Sequence, residues 1–175
     1  MMLILKKENP CEDISIDIDG YIPFTVEVKS QGSSAPPLYF RGGDGKQSLI
    51  EIGLNRGSGS VCNATLTAIS PERVSETELP ANNDLPEIIG LAAFDVSTWD
   101  SCSDNYADNF DDSFDSEITL MVGANYLSLH FEGIEEPVRY IKNNQLRFGI
   151  TSDGKLSTLE LLELTEDQVN LLKPV

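Results

Sequence analysis

The chain has 175 residues, 40% hydrophobic and 23% charged, with 29 acidic against 12 basic side chains and a net charge of -17. A chain of this length buries roughly 70% of the surface its unfolded form exposes, so it folds without disulfide or metal staples. The charge repels phosphates and anionic lipid surfaces, which excludes nucleic acid and membranes as favoured partners and leaves a basic protein or a cation as the natural counterpart.

The first residues, MMLILKKENP, place an apolar run before the lysines, the reverse of a secretory signal. No apolar run is long enough to span a bilayer. The expectation is a cytoplasmic chain whose first strand holds Leu3, Ile4 and Leu5. Cys11, Cys62 and Cys102 are odd in number, far apart and without a CxxC pair, so they read as reduced thiols rather than as a disulfide framework or zinc site.

Ile14, Ile16 and Ile18 then alternate with Ser15, Asp17 and Asp19, the period of a strand with one buried face. After a turn around Gly20, Phe24, Val26 and Val28 repeat the pattern. QGSSAPPLYFRGGDGK reads as a long surface connection, with Tyr39, Phe40 and Arg41 available to a partner. A hairpin follows with NRGSGS at its turn, and Ser70-Pro71 has the form of an N-cap with proline at the first helical position.

Much of this recurs downstream. IDGYIPFTVEV, from Ile18, aligns without a gap on MVGANYLSLHF, from Met121, through Gly20 and Gly123. IGLNRGSGSVCNATLTAISPERV, from Ile52, aligns with one gap on FGITSDGKLSTLELLELTEDQV, from Phe148, bringing Gly53 onto Gly149 and Leu66 onto Leu161. The second copy has its own turn at Asp153-Gly154 and a capping box at Thr165 and Gln168. A period this long decides the fold. The prediction is a mainly β, β-rich α+β protein in which an internal duplication gives two similar antiparallel modules of four strands. The copies span 14–74 and 116–169, are joined by a connector at 75–115, and pack as a sandwich or partly open barrel within one domain covering 1–175.

The connector carries eleven acidic residues and no basic ones. Within it NNDLPEIIGLAAFDV is apolar enough for a buried strand or short helix, and Asp84 could cap a helix from Leu85 and Pro86. Beyond it, Trp99, Cys102, Tyr106, Phe110 and Phe114 recur at the spacing of a helix face, although Asp, Asn and Ser favour an irregular loop pinned by the same aromatics. A calcium loop of EF-hand type does not fit: starting at Asp104 puts Tyr106 at the third position, and starting at Asp111 puts Glu117 at the seventh and Val122 at the twelfth. A non-standard calcium set would use Asp108, Asp111, Asp112 and Asp115, and a nucleic-acid mimic would need a more rigid carboxylate face. The reading adopted is a recognition patch for a basic protein, formed by Trp99, Asp100, Asp104, Tyr106, Asp108, Phe110, Asp111, Asp112 and Asp115, in which acids steer the encounter and aromatics supply anchors.

Catalytic signatures are absent. His130 is the only histidine, opposite in phase to Leu127, Leu129 and Phe131, so it reads as solvent-side or sheet-edge. Ser128 precedes it by two residues, but no GxSxG elbow occurs, and RGGDGK and NRGSGS lack the spacing of a phosphate loop. No metal or cofactor is expected. In size, concentrated acidity and lack of both a catalytic and a secretion signature, the chain resembles bacterial toxin-immunity proteins. Such proteins neutralise a nuclease or other basic toxin by covering its active site. The resemblance is of overall character and assigns no residue. It implies a non-enzymatic cytoplasmic binding protein. The alternatives are an assembly subunit with a solvated linker and a hydrolase using an acid pair.

Overall fold

The computed structural model describes residues 2–29, 35–99 and 103–174. The chain runs through β1 (Leu5–Asn9), β2 (Ile14–Asp17), β3 (Phe24–Val28), β4 (Leu38–Gly42), β5 (Leu49–Leu54) and β6 (Val61–Ala68). The connector contributes β7 (Val74–Glu76), β8 (Glu87–Ile89), β9 (Leu91–Phe94) and β10 (Phe110–Ser113). Then come β11 (Ile118–Val122), β12 (Leu127–Phe131), β13 (Arg139–Asn143), β14 (Leu146–Ile150), β15 (Leu156–Leu161) and a helix, α1 (Glu166–Leu172).

Two open sheets face each other as a sandwich. One has the order β10-β4-β5-β6-β3-β2 and the other β7-β11-β12-β15-β14-β13-β8. Each contains five antiparallel strands in the same order: first, second, fifth, fourth, third. Gly53 on β5 faces Asn63 on β6, and Gly149 on β14 faces Thr158 on β15. These are the places that the sequence alignment makes equivalent.

Each unit therefore has five strands rather than the predicted four. The extra ones are β13 and β4, and β4 lies inside the stretch read as a surface connection. Leu38 and Phe40 of β4 alternate into the core, but flanking Pro36-Pro37 and Gly42-Gly43 disguise them as a loop. The connector adds parallel edge strands: β10 beside β4, β8 beside β13 and β7 beside β11. It forms no helix at Leu85-Pro86. The N-terminal strand also starts later than predicted, at Leu5; Leu3 is buried and Ile4 makes only an isolated bridge to Lys155.

Period-two alternation sends one apolar face of each sheet inward. Phe24, Val26, Ile52 and Leu66 meet Leu120, Leu129, Phe148 and Leu159 in one hydrophobic cluster, so both sheets share a core. Across it Phe40 meets Phe131 edge-on, with ring centroids 6.2 Å apart. A ribbon of β1 and β9 ties the two units at their hairpin turns. β1 is held by the turn near Gly154, where Leu5 N–H donates to the Gly154 carbonyl at 2.8 Å. β9 is held by the other turn, where Phe94 N–H donates to the Gly59 carbonyl at 2.9 Å. Gly59 has φ +76, and a Cβ there would lie 2.0 Å from the Phe94 carbonyl oxygen, so turn chemistry and close approach both demand glycine.

The helix starts follow their signals unequally. At α1 the Thr165 side chain accepts from Gln168 N–H while Gln168 accepts from Thr165 N–H, a complete capping box. At Pro71–Arg73 only a 3-10 turn forms, with proline at its start and no cap bond from Ser70.

Candidate functional site

The outer face of the six-stranded sheet follows from its register. Phe110, Tyr39, Gly53, Asn63 and Glu27 form one row across the strands, and Asp112, Arg41, Glu51, Thr65 and Thr25 form the next. Phe110 stacks on Tyr39 at 5.2 Å, and Tyr106 meets Phe110 edge-on at 5.4 Å. Tyr106 is 62% exposed and walls an open depression of about 310 Å³ whose floor includes Glu27, Glu51 and Asn63. Arg41 stands over Phe110 at 4.5 Å and binds Asp112 in a two-point pair at 2.6 and 2.9 Å. Burial first, and the neighbouring Tyr106 next, raise the Tyr39 phenol above its ordinary value.

Of the predicted patch, this face holds Tyr106, Phe110 and Asp112, whereas Asp111 pairs with the buried Phe40 and so lies on the other face of β10. The aromatic stripe is not one helix: residues 106–109 make a single 3-10 turn, and Phe110–Ser113 is strand β10. Pairing with β4 overrides the weak helical spacing, because Asp, Asn and Ser do not sustain a helix. Trp99 is 7% exposed and donates its indole N–H to the Asn109 carbonyl at 3.1 Å, so it anchors the turn from within rather than meeting a partner. Asp104, Asp108, Asp112 and Asp115 are exposed and Asp111 is half-buried, while Asp108 accepts from Ser103 at 2.5 Å. Asp100 and Cys102 lie outside the described residues. Among the described residues, no three His, Cys, Asp or Glu side chains converge as a metal cage requires.

Sequence reasoning missed a second site, on the outer face of the seven-stranded sheet. β7 and β8 lie at opposite edges of that sheet, so residues 77–86 must cross its whole width. Six strand spacings cover roughly 29 Å, and ten extended residues reach roughly 33 to 36 Å, so this strap is nearly taut. Side chains of the sheet pin it. The Tyr126 hydroxyl donates to the Leu79 carbonyl at 3.0 Å, and Arg147 reaches Asn83 at 3.4 Å and Glu87 at 3.2 Å.

Beneath the strap Arg147 is fully buried and makes two bonds, of 2.6 and 3.1 Å, to one oxygen of Glu160, itself 5% exposed. Burial alone would lower the Arg147 pKa; the Glu160 charge and the hydrogen bonds from Glu160 and Glu87 outweigh it and keep the guanidinium charged. Its guanidinium carbon also lies 3.9 Å from the centre of the Tyr140 ring. The other Glu160 oxygen accepts from Thr158 at 3.2 Å and from Ser128 at 3.4 Å, and Ser128 Oγ lies 3.0 Å from His130 Nε2. With Ser128 donating to Glu160, His130 Nε2 is the donor to Ser128. Burial first, and the Glu160 charge second, push the Tyr140 phenol up to about 12 and raise that of Tyr126.

His130 thus points away from the core as its phase predicts. It is no edge residue, since β12 lies between β11 and β15, and it is half-buried. Glu160 could have been noticed as the one charge in the apolar run LSTLELL. Arg147 sits similarly in LRFGI, but its partners are 13 and 60 residues away. No family model matches the chain, and no curated protein matches it. Among the described residues, no helix is long and apolar enough to cross a membrane.

Proposed function

We propose that this chain is a non-enzymatic binding protein that engages a basic protein through the outer face of its six-stranded sheet and the adjoining acidic turn. One observation carries the reading. In those rows Glu27, Glu51 and Asp112, with the neighbouring Asp104 and Asp108, outnumber two cations among the described residues: Arg41, which is committed to Asp112, and Arg56, whose guanidinium holds the Asn109 side chain and the Pro36 carbonyl. An exposed aromatic, Tyr106, stands among them. Uncompensated acids steer a basic surface and set its orientation, and a tyrosine packed on one side and open on the other serves as an anchor at low entropic cost. A cytoplasmic immunity role, in which the partner is a basic toxin, is the form of this function that the overall character of the chain favours.

The test is a capture experiment followed by direct titration. Tagged wild type is compared with Tyr106→Ala and with a variant carrying Asp104, Asp108, Asp111, Asp112 and Asp115 as Asn, in extract of the source organism at low and moderate salt. The expected result is a basic protein held by wild type, released by salt and lost by both variants, with purified partner showing the same order. Equal capture by wild type and both variants, or capture insensitive to salt, would overturn the proposal.

A further inference from the structure

The seven-stranded sheet offers a site that the partner-binding reading does not use. Its outer face and the strap enclose a cleft of about 310 Å³, at the small end of the range for small-molecule pockets. The fold makes a depression at this place in both units. Thr25 and Glu27 of the first sheet align with Ser128 and His130 of the second, and Asn63 and Thr65 align with Thr158 and Glu160. Tyr39 and Tyr140 correspond through the register, each facing its sheet's glycine, Gly53 or Gly149. A segment of the connector covers each depression in part: Tyr106 in the first unit, Leu79 and Leu85 in the second.

We infer that the cleft between the strap and the seven-stranded sheet binds a small organic amine, a primary ammonium on an apolar stem. Two carboxylates face it: Glu160 at the floor and the exposed Glu136 at the rim. Arg147 is the cation behind the floor, and its hydrogen bonds go to Glu160, Glu87 and Asn83. Among the described residues, the Glu160 oxygen turned away from Arg147 holds only hydroxyl contacts of 3.2 and 3.4 Å, which an N–H donor of formal charge improves on. Ser128 Oγ, which accepts from His130 Nε2, and Asn82 Oδ1, which accepts from Asp84 N–H, stand on the same walls with one lone pair each to spare. Met121, Tyr126, Leu85 and Pro137 form the apolar part of the lining and fit the stem. An anion would meet both carboxylates, and a neutral alcohol would forgo the charge.

The buried pair has a role in this arrangement. Ionic groups are costly beneath a strap that apolar residues would cover more cheaply, which makes a buried pair at the floor of a cleft a candidate for function. Arg147 fixes one oxygen of Glu160 and so aims the other.

The experiment is an amide-detected NMR titration with benzylamine, benzyl alcohol and benzoate. Benzylamine is expected to shift amides of β12 and β15 saturably and to bind at least about tenfold more tightly than benzyl alcohol, as a charged hydrogen bond requires. Benzoate is expected to leave them unmoved. Glu136→Gln should weaken benzylamine several-fold. Met121→Trp, which fills the cleft and leaves both residues of the buried pair in place, should abolish binding in a protein whose other amide shifts are unchanged. The inference is overturned by absence of a saturable shift with benzylamine, by equal binding of benzyl alcohol, by shifts confined to the six-stranded sheet, or by full affinity in both variants.

Discussion

Replacing Arg147 with methionine removes a guanidinium that is 0% exposed and leaves Glu160, 6% exposed at its side chain, without its two-point partner. Stranding a buried charge in this way costs about 3–5 kcal/mol. Removing the other half is milder: in Glu160→Gln the guanidinium keeps Glu87, itself 31% exposed, and the face of Tyr140, so about 1–3 kcal/mol is expected. Because the two sheets share one core, urea unfolding should be a single transition. At a slope of about 2 kcal/mol/M, Arg147→Met then lowers the midpoint by about 1.5–2.5 M. The discriminating variant is the double one. Once Arg147 is gone, neutralising Glu160 removes the stranded charge, so the double variant should be more stable than Arg147→Met alone by about 1 kcal/mol or more. A loss below about 1 kcal/mol for Arg147→Met, or a double variant lying at the sum of the singles, would refute the buried pair.

Two further outcomes check other parts of the structure. In an ultraviolet titration Tyr140 should ionise last, near pH 12, and this step should vanish in Tyr140→Phe. Its folded pKa lies above the ordinary 10.0, so its contribution to stability is complete below pH 10 and is lost as pH rises from 10 through 12. In thermal unfolding, Gly59→Ala should cost at least about 2 kcal/mol, since it adds a left-handed strain to a clash with the Phe94 carbonyl. Gly57→Ala, in the same turn with no such conformation and only an ordinary 3.4 Å contact to the Asn55 side-chain oxygen, should stay within about 0.5 kcal/mol.

What could be read from the sequence was what repeats locally. Alternation at Phe24, Val26 and Val28 and at Leu127, Leu129 and Phe131 reports a buried face directly, and the gapped alignment of Gly53 on Gly149 places two strands at once. Strand β10 was illegible for a physical reason. Its pairing among the described residues is with β4, about 70 residues earlier, and FDDS carries neither β-branched residues nor clean alternation. The acidic patch could be located but not divided, because Trp99 and Tyr106 look alike in sequence and only packing makes one an internal anchor and the other a surface. The cleft escaped notice because Arg147 and Glu160 sit in runs whose burial on both faces hides any period. The strap that buries them bears no mark of crossing a sheet.

The strap also orders events in time. Residues 74–94 leave the ribosome before the strands at 118–122 and 139–143 that β7 and β8 must flank, so both edges wait unpaired while the second unit is made. The first sheet can complete its five antiparallel strands meanwhile, and the second closes only when the late strands slot beneath a segment already synthesised. Such long-range parallel pairing is slow and leaves exposed edges open to other chains. Sheet closure under the strap should therefore be the slow step of folding, and the interval before it the period in which this protein most needs protection from aggregation.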